Sequence, residues 1–259
     1  MTTLTTLRCA TWNVHRARGT DGRVDPGRIM DAIETALAPL SLDVLALQEA
    51  DEETRPHRRI LDVGRISAVT GLRYAQDDDQ LRWGDESDGF LGTILFLSPA
   101  LSLTHAEVID LPGHCHRGAV SVEVGSGQTT VRIMSMHLSL SQALRVIQMR
   151  TIGQYMCRRP PMQTVLLGDF NEWRPWGGWM FRERVIGTQF RGPSLATFPS
   201  RRPLLPLDRI LSDGGSQISL AKVVTGGRIA AASDHLPLFG EVTIAGADKI
   251  SPATLASVV

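Results

Sequence analysis

The chain has no surplus of either charge: 27 Lys and Arg stand against 27 Asp and Glu in 259 residues. Proteins that hold nucleic acid by its phosphate backbone usually carry a basic excess, so the balance lowers the expectation of a nucleic-acid binder without removing nucleases. Cysteine is scarce. Cys9, Cys115 and Cys157 are odd in number and form no CxxC pair, which argues against a disulfide framework and fits a reducing compartment. The opening residues MTTLTTLRCATW lack a basic segment followed by a long apolar stretch, so no signal peptide is expected. No apolar run approaches the length of a membrane span, and a cytoplasmic location is the expectation. Repeats and low-complexity linkers are also missing. Residues 1–259 are therefore expected to form a single domain, with about 245–259 as a loosely packed tail. What the chain does have is an ordinary share of hydrophobic residues, 42%, enough to bury a real core.

Residues 7–13 read as a strand. Pro26 suits a first helical position, and Ile29, Ile33, Ala36 and Leu37 recur at helical spacing, so residues 26–37 are expected to be a helix. Residues 44–47 read as a buried strand and 57–69 as a second helix. Strand patterns then dominate, in FLGTILFL (90–97), AVSVEV (119–124) and TVRIMSM (130–136). Ser141 is placed to cap a helix running to about Cys157, with Leu144, Ile147, Ile152 and Tyr155 along one side. Further strands follow in TVLLGD (164–169), LDRILS (207–212) and LPLFGEV (236–242). Strands that are apolar on both faces, with a few helices between them, imply an α/β fold of two packed sheets with helices outside. The order of strand pairing cannot be read from this pattern.

Most of these apolar strands stop at, or start from, groups that bind metals or move protons. Asn13 follows LRCATW, Glu49 follows DVLALQ, and His137 follows RIMSM. Asp169 and Asn171 follow TVLLG, Asp208 precedes RILS, and Asp234 and His235 precede LPLFGEV. A buried strand needs no carboxylate at its tip, and an unpaired one there is costly. Residues two apart on an extended chain project to one side, so Asp169 and Asn171 are expected to face one ligand with Phe170 turned into the core. Taken singly, each has a bland explanation: Asp and Asn make turns, and a lone His is usually structural. Taken together they suit cleavage of a phosphoester with a hard cation. Magnesium takes oxygen ligands, here Glu49 first, helped by Asn13 and Asp234. Asp169, hydrogen-bonded by Asn171, would orient and deprotonate the attacking water. His235 beside Asp208 matches an oriented acid–base imidazole.

The segments TWN, LQE, MHL, GDFN, LDRI and SDHLP, in this order across nearly the whole chain, resemble the endonuclease/exonuclease/phosphatase superfamily. The resemblance implies a four-layered α/β/β/α sandwich of two mainly antiparallel sheets, with the active site at the sheet edges. It also implies Mg²⁺- or Mn²⁺-dependent hydrolysis of a phosphoester in a small molecule, a lipid headgroup or a nucleic acid. Carried over by motif, Asn13, Glu49 and Asp234 look like metal-side residues, and His137 like a phosphate-contacting histidine. Asp169 and Asn171 look like the water-orienting pair, and Asp208 like the partner of His235. Arg117 sits where many members place an arginine. The division of acid and base roles between His137 and His235 stays open. Two departures weaken a DNA-repair reading: His15 stands where apurinic endonucleases carry Asp, and His137 where they carry tyrosine. TWNVHRARGTDGRVD and TFPSRRPLLPLDRI look closer to small single-domain bacterial hydrolases of the superfamily. No obligate protein partner is evident.

Three further features bear on substrate. His114, Cys115 and His116 lie close together in GHCHRG, but no second cluster completes a zinc site, and a loop is preferred. Trp173, Trp176 and Trp179 stand beside arginines just after GDFN, which makes Trp176 a candidate specificity residue. Arg201 and Arg202, shortly before Asp208, are candidates for holding an anionic substrate; together with His15 and Arg117 they complete the substrate-binding set. The expectation is a metal-dependent phosphoesterase, more specifically a phosphodiesterase. A DNA or RNA nuclease and a non-catalytic binding module of the same fold remain the alternatives.

Overall fold

The computed structural model describes residues 4–113, 117–214 and 217–245. In chain order the elements are β1 (Thr6–Asn13), α1 (Pro26–Ala32), β2 (Val44–Gln48), α2 (Val63–Thr70), β3 (Arg73–Tyr74), β4 (Ile94–Leu97), β5 (Ser102–Leu111) and β6 (Arg117–Ser126). They continue with β7 (Thr129–His137), α3 (Gln142–Cys157), β8 (Thr164–Asp169), α4 (Glu183–Ile186), β9 (Asp208–Ser212), β10 (Ile218–Val223), α5 (Gly227–Ala232) and β11 (Leu238–Thr243). The strands form one sheet of six in the order β10-β11-β1-β2-β4-β3 and one of five in the order β5-β6-β7-β8-β9. Both sheets are mixed. Pairing is antiparallel except between β1 and β2 and between β7 and β8.

Side-chain alternation builds the layers. Val165 and Leu167 of β8 face the space between the sheets, with Leu7, Cys9, Val44, Ile133 and Ile210. Leu166, between them, faces outward onto Met149 and Ile152 of α3. On the other sheet Trp12, Leu45 and Leu47 face outward onto Ile29 of α1 and Ile66 of α2. Central strands covered on both faces carry unbroken apolar runs for this reason.

Register decides where the polar tips go. In the two parallel pairs, Asn13 lies beside Gln48 and His137 beside Asp169, so the carboxyl ends of four strands reach one edge. The antiparallel partners β9 and β11 begin at that edge, with Asp208 beside Asp169 and Leu238 beside Thr11. Beneath the edge, Thr11 Oγ1 donates to Gln48 Oε1 at 3.2 Å, and Gln48 Nε2 donates to Ser135 Oγ at 3.3 Å, tying one sheet to the other.

Several boundaries differ from the sequence reading. The second helix begins at Val63 rather than at residue 57, because Asp62 caps it by accepting the Arg65 N–H at 2.9 Å, while His57 has φ of 60°. The first helix is regular only to Ala32, and Ile33–Leu37 continues as a wider π turn. Residues 90–93 form a tight turn through Leu91 (φ 52°) and Gly92 (φ 78°), so the strand expected over 90–97 starts at Ile94. Ser141 stands at the N-cap of α3, but its hydroxyl makes no capping bond. The edge strands β5 and β10 were not anticipated, since their half-exposed, polar-interrupted sequences carry no continuous apolar signal. His114, Cys115 and His116, and residues 246–259 of the expected tail, lie outside the described residues.

Candidate active site

Asp169, 1% exposed at the end of β8, is the hinge of the cluster. Its Oδ1 accepts the Asn171 N–H at 2.8 Å, which the left-handed backbone of Asn171 (φ 51°) makes possible. Its Oδ2 accepts from Asn13 Nδ2 at 2.9 Å. The same amide nitrogen reaches Glu49 Oε1 at 3.3 Å, so Asn13 links the two carboxylates. Glu49 leaves β2 with φ of 54°, and the neighbouring Gly92 admits that turn: a Cβ there would sit 3.2 Å from the Glu49 Cα. His137, at the end of β7, places Nε2 3.5 Å from Asp169 Oδ2 and 3.8 Å from Glu49 Oε1. Asn171 Nδ2 donates to the Leu138 carbonyl at 2.9 Å and lies 3.3 Å from His137 Nε2. Phe170 is fully buried on the outer face of the sheet, against Phe181.

The second half of the cluster comes from β9 and the segment before β11. Asp208, fully buried, contacts His235 Nδ1 through Oδ2 at 2.8 Å and accepts the Thr197 hydroxyl on the same oxygen. His235 Nε2 then lies 3.8 Å from Asp169 Oδ2. The ring and backbone of His235 are both anchored. Trp12 Nε1 donates to the His235 carbonyl at 2.9 Å, and Phe198 packs on the ring at 4.9 Å between centroids. The Ser233 hydroxyl accepts the His235 N–H at 3.1 Å and donates to the Asn13 carbonyl at 2.7 Å.

These contacts drive the two histidines apart. Burial opposes charge on His235, but the Asp208 carboxylate and then Asp169 outweigh it and raise its pKa to about 10. Burial holds His137 well below its ordinary value, reinforced by the positive charges of Arg117, His235 and Arg16. Burial raises Asp169 to about 6, with the Asp208 charge adding to it and His235 and Asn13 opposing. At neutral pH the edge therefore holds an imidazolium at position 235, a neutral imidazole at 137 and an ionised Asp169.

The donor set fits a hard cation. Asp208 Oδ1 is a buried carboxylate oxygen without a partner, Glu49 Oε2 and Asp234 Oδ1 are buried oxygens met only by ion-pair contacts, and oxygen-rich sites suit magnesium-like ions. Glu49 Oε2 faces Arg16 Nη1 at 2.7 Å, and Asp234 Oδ1 lies 3.3 Å from His15 Nδ1. Ligand atoms of Asp169, Asp208 and His235 also lie within 4.8 Å of one another. The 2.8 Å contact between Asp208 and His235 already satisfies those two groups, so this trio suits proton handling better than coordination.

Of the remaining sequence candidates, Arg117 and His15 lie at the cluster, and Arg201, Arg202 and Trp176 do not contact it. Arg117 lines a small cavity with Glu49, Arg16 and His137. His15 contacts Asp234 and donates its N–H to Asn13 Oδ1 at 2.9 Å. Arg201 is exposed and donates to Thr20 Oγ1 at 3.1 Å, and Arg202 is exposed beside it. Trp176, 60% exposed, lines a different cavity. Sequence reasoning passed over Arg16, Thr197 and the anchoring role of Ser233. Arg16 and Ser233 lie within three residues of motif positions; Thr197 carried no signal.

Two packed sheets whose strand tips gather carboxylates, amides and imidazoles at one edge are the arrangement that the sequence resemblance implied. Residues 10–235 match the sequence pattern of the Endonuclease/Exonuclease/phosphatase family, and the chain belongs to that family. Members are typically hydrolytic phosphoesterases or nucleases. The chain is 32% identical over 230 residues to the protein YbhP of Escherichia coli, itself called uncharacterized, covering 83% of this chain and 88% of that one. Among solved structures, it is similar to an endonuclease/exonuclease/phosphatase of Bacteroides vulgatus at a TM-score of 0.71 and 13% identity, covering 93% of this chain and 100% of the other. It is also similar to ANGEL2, described as a 2′,3′-cyclic phosphatase and bound to adenosine-2′,3′-vanadate, at a TM-score of 0.64 and 12% identity, covering 93% and 96%. Among the described residues no helix is long and apolar enough to cross a membrane.

Proposed function

We propose that the chain is a divalent-metal-dependent phosphodiesterase. The observation that carries this reading is the buried Asp169, whose one oxygen meets the Asn13–Glu49 pair and the imidazolium of His235 at once. Mg²⁺ or Mn²⁺ would be held by Glu49 and Asn13, with Asp234 as a further carboxylate. When bound, it would neutralise charge on the phosphoryl oxygens. The chain's own residues do the rest. Asp169, oriented by the Asn171 N–H, takes a proton from the water that attacks phosphorus in line with the leaving oxygen. His235, kept charged by Asp208, donates a hydrogen bond to the phosphoryl group as negative charge builds there. Neutral His137 positions a phosphoryl oxygen without competing for the water's proton. That ANGEL2 carries phosphatase chemistry on a similar fold supports the class of reaction and leaves the substrate open.

The test is hydrolysis of bis-(p-nitrophenyl) phosphate with Mn²⁺. Asp169→Asn should lower kcat by about 10²–10⁴-fold, the usual worth of a general base, with an unchanged circular dichroism spectrum. Turnover near that of the unsubstituted protein would remove Asp169 from the mechanism. DNA or RNA cleaved in preference to small diesters, with a steep salt dependence, would favour the nuclease reading instead.

A further inference from the structure

Asp208 and Arg209 are consecutive on β9 and so project to opposite faces of the sheet. Asp208 belongs to the hydrolytic cluster. Arg209 points with Leu211 into the outer layer, where a cavity of about 370 Å³ opens. One wall comes from the loop after Asn171, with Trp176, Phe181 and Arg182, and the other from Phe190, Arg191 and Arg209. The described lining residues include three arginines and no carboxylate.

Each arginine is left with charge to spare. Arg209 is 2% exposed; its Nη2 donates to the Arg174 carbonyl at 2.9 Å and to the Glu172 carbonyl at 3.3 Å, but its buried Nε has no acceptor. Among the described residues the Arg191 side chain bonds the neutral Gln189 amide, at 2.8 Å, and Arg182 rests on the Trp179 ring at 5.3 Å. Among the described residues none of the three has a carboxylate at ion-pair distance. Glu172 is already held by Arg174 at 2.7 Å and Arg145 at 3.3 Å. A purely structural role for Arg209, pinning the loop through two carbonyls, accounts for Nη2. It does not account for the unpaired Nε, for the exposed cations of Arg191 beside it and Arg182 on the facing wall, or for the unfilled space. Burial lowers the pKa of Arg209 to about 10 against the opposing charges of Glu172 and Asp208, which act from beyond ion-pair distance, and a cavity of this size suits a small molecule.

We propose that this cavity binds a small anion carried on a planar ring, of the size of an aryl or nucleoside monophosphate, at a site separate from the hydrolytic cluster. The arginines supply the counter-charge and the aromatic walls pack against the ring. Phenylphosphonate, which has no ester bond to hydrolyse, is the probe. It is titrated into the full chain in EDTA, with binding read by calorimetry and by the fluorescence of the neighbouring tryptophans. Saturable binding is expected, at least about tenfold tighter than that of inorganic phosphate. Arg191→Gln, at an exposed position, and Arg209→Met should each weaken it about tenfold or more, while Asp169→Asn leaves it unchanged. No saturation by about 10 mM, equal affinity for inorganic phosphate, or loss on Asp169→Asn with Arg191→Gln unaffected would each overturn the proposal. Because the readout is binding without metal, its failure is separate from any failure of the hydrolysis assay.

Discussion

Replacing Asp208 by Asn tests the electrostatic logic of the site most directly. The substitution keeps an oxygen for the Thr197 hydroxyl but removes the charge that lies 2.8 Å from His235 Nδ1. His235 is raised to about 10 in the folded protein, against an ordinary value near 6.5. A histidine raised in this way contributes stability that is fully present below about 6.5 and is lost as pH rises through about 10. Between pH 7 and that upper value, at about 1.4 kcal/mol per pH unit, the contribution approaches 4 kcal/mol. Removing one partner of a buried pair typically costs about 3–5 kcal/mol, the same range. Urea unfolding of both proteins in EDTA at pH 6, 8 and 10 should show a stability gap that is largest at pH 6 and nearly closed at pH 10. In the variant the largest charge holding the ring's proton is gone, and burial is opposed only by Asp169 and Asp234, so the pKa of His235 falls. Turnover of bis-(p-nitrophenyl) phosphate at pH 7 should then fall by about 10²–10³-fold, as when a preorganised donor is lost. A gap that stays constant from pH 6 to 10 would refute the assignment of charge to His235, whatever the activity.

Glu49→Gln replaces a charged oxygen by a neutral amide at the proposed metal side, and calorimetry should report Mn²⁺ affinity lower by at least about tenfold, few carboxylates being available to compensate; unchanged binding would move the ion elsewhere. Gly168→Ala should destabilise the protein by about 3 kcal/mol or more, because Gly168 has φ of 141° and a Cβ there would stand 1.9 Å from the Met136 carbonyl oxygen. Denaturation midpoints measure it, and a loss too small to resolve would mean that the parallel pairing of β7 and β8 is less close than the structure has it.

Much of this arrangement is legible in the sequence. The run VLL of β8 is apolar without alternation because that strand is covered on both faces, and the polar residues that close it mark where cover ends. The half-exposed β5 and β10 gave no such mark, and the irregular run from His57 to Asp62 looked helical because spacing alone does not reveal a cap. Thr197 could not have been singled out, since nothing local to it differs from an ordinary loop threonine; its role exists only because Asp208 lies opposite.

By its own composition and order, the chain determined that buried strands would end in acids, amides and imidazoles, since side-chain type and its place in an apolar run are local properties. Which of those groups meet was decided only by tertiary structure. The parallel register of β1 with β2 and of β7 with β8 brings Asn13, Glu49, His137 and Asp169 to one edge, and the antiparallel entry of β9 sets Asp208 against His235. The same strand turns Arg209 away into a separate cavity, because successive side chains of a strand face opposite ways. Charge states followed from those meetings, since burial and the nearest partner together decide which imidazole keeps its proton.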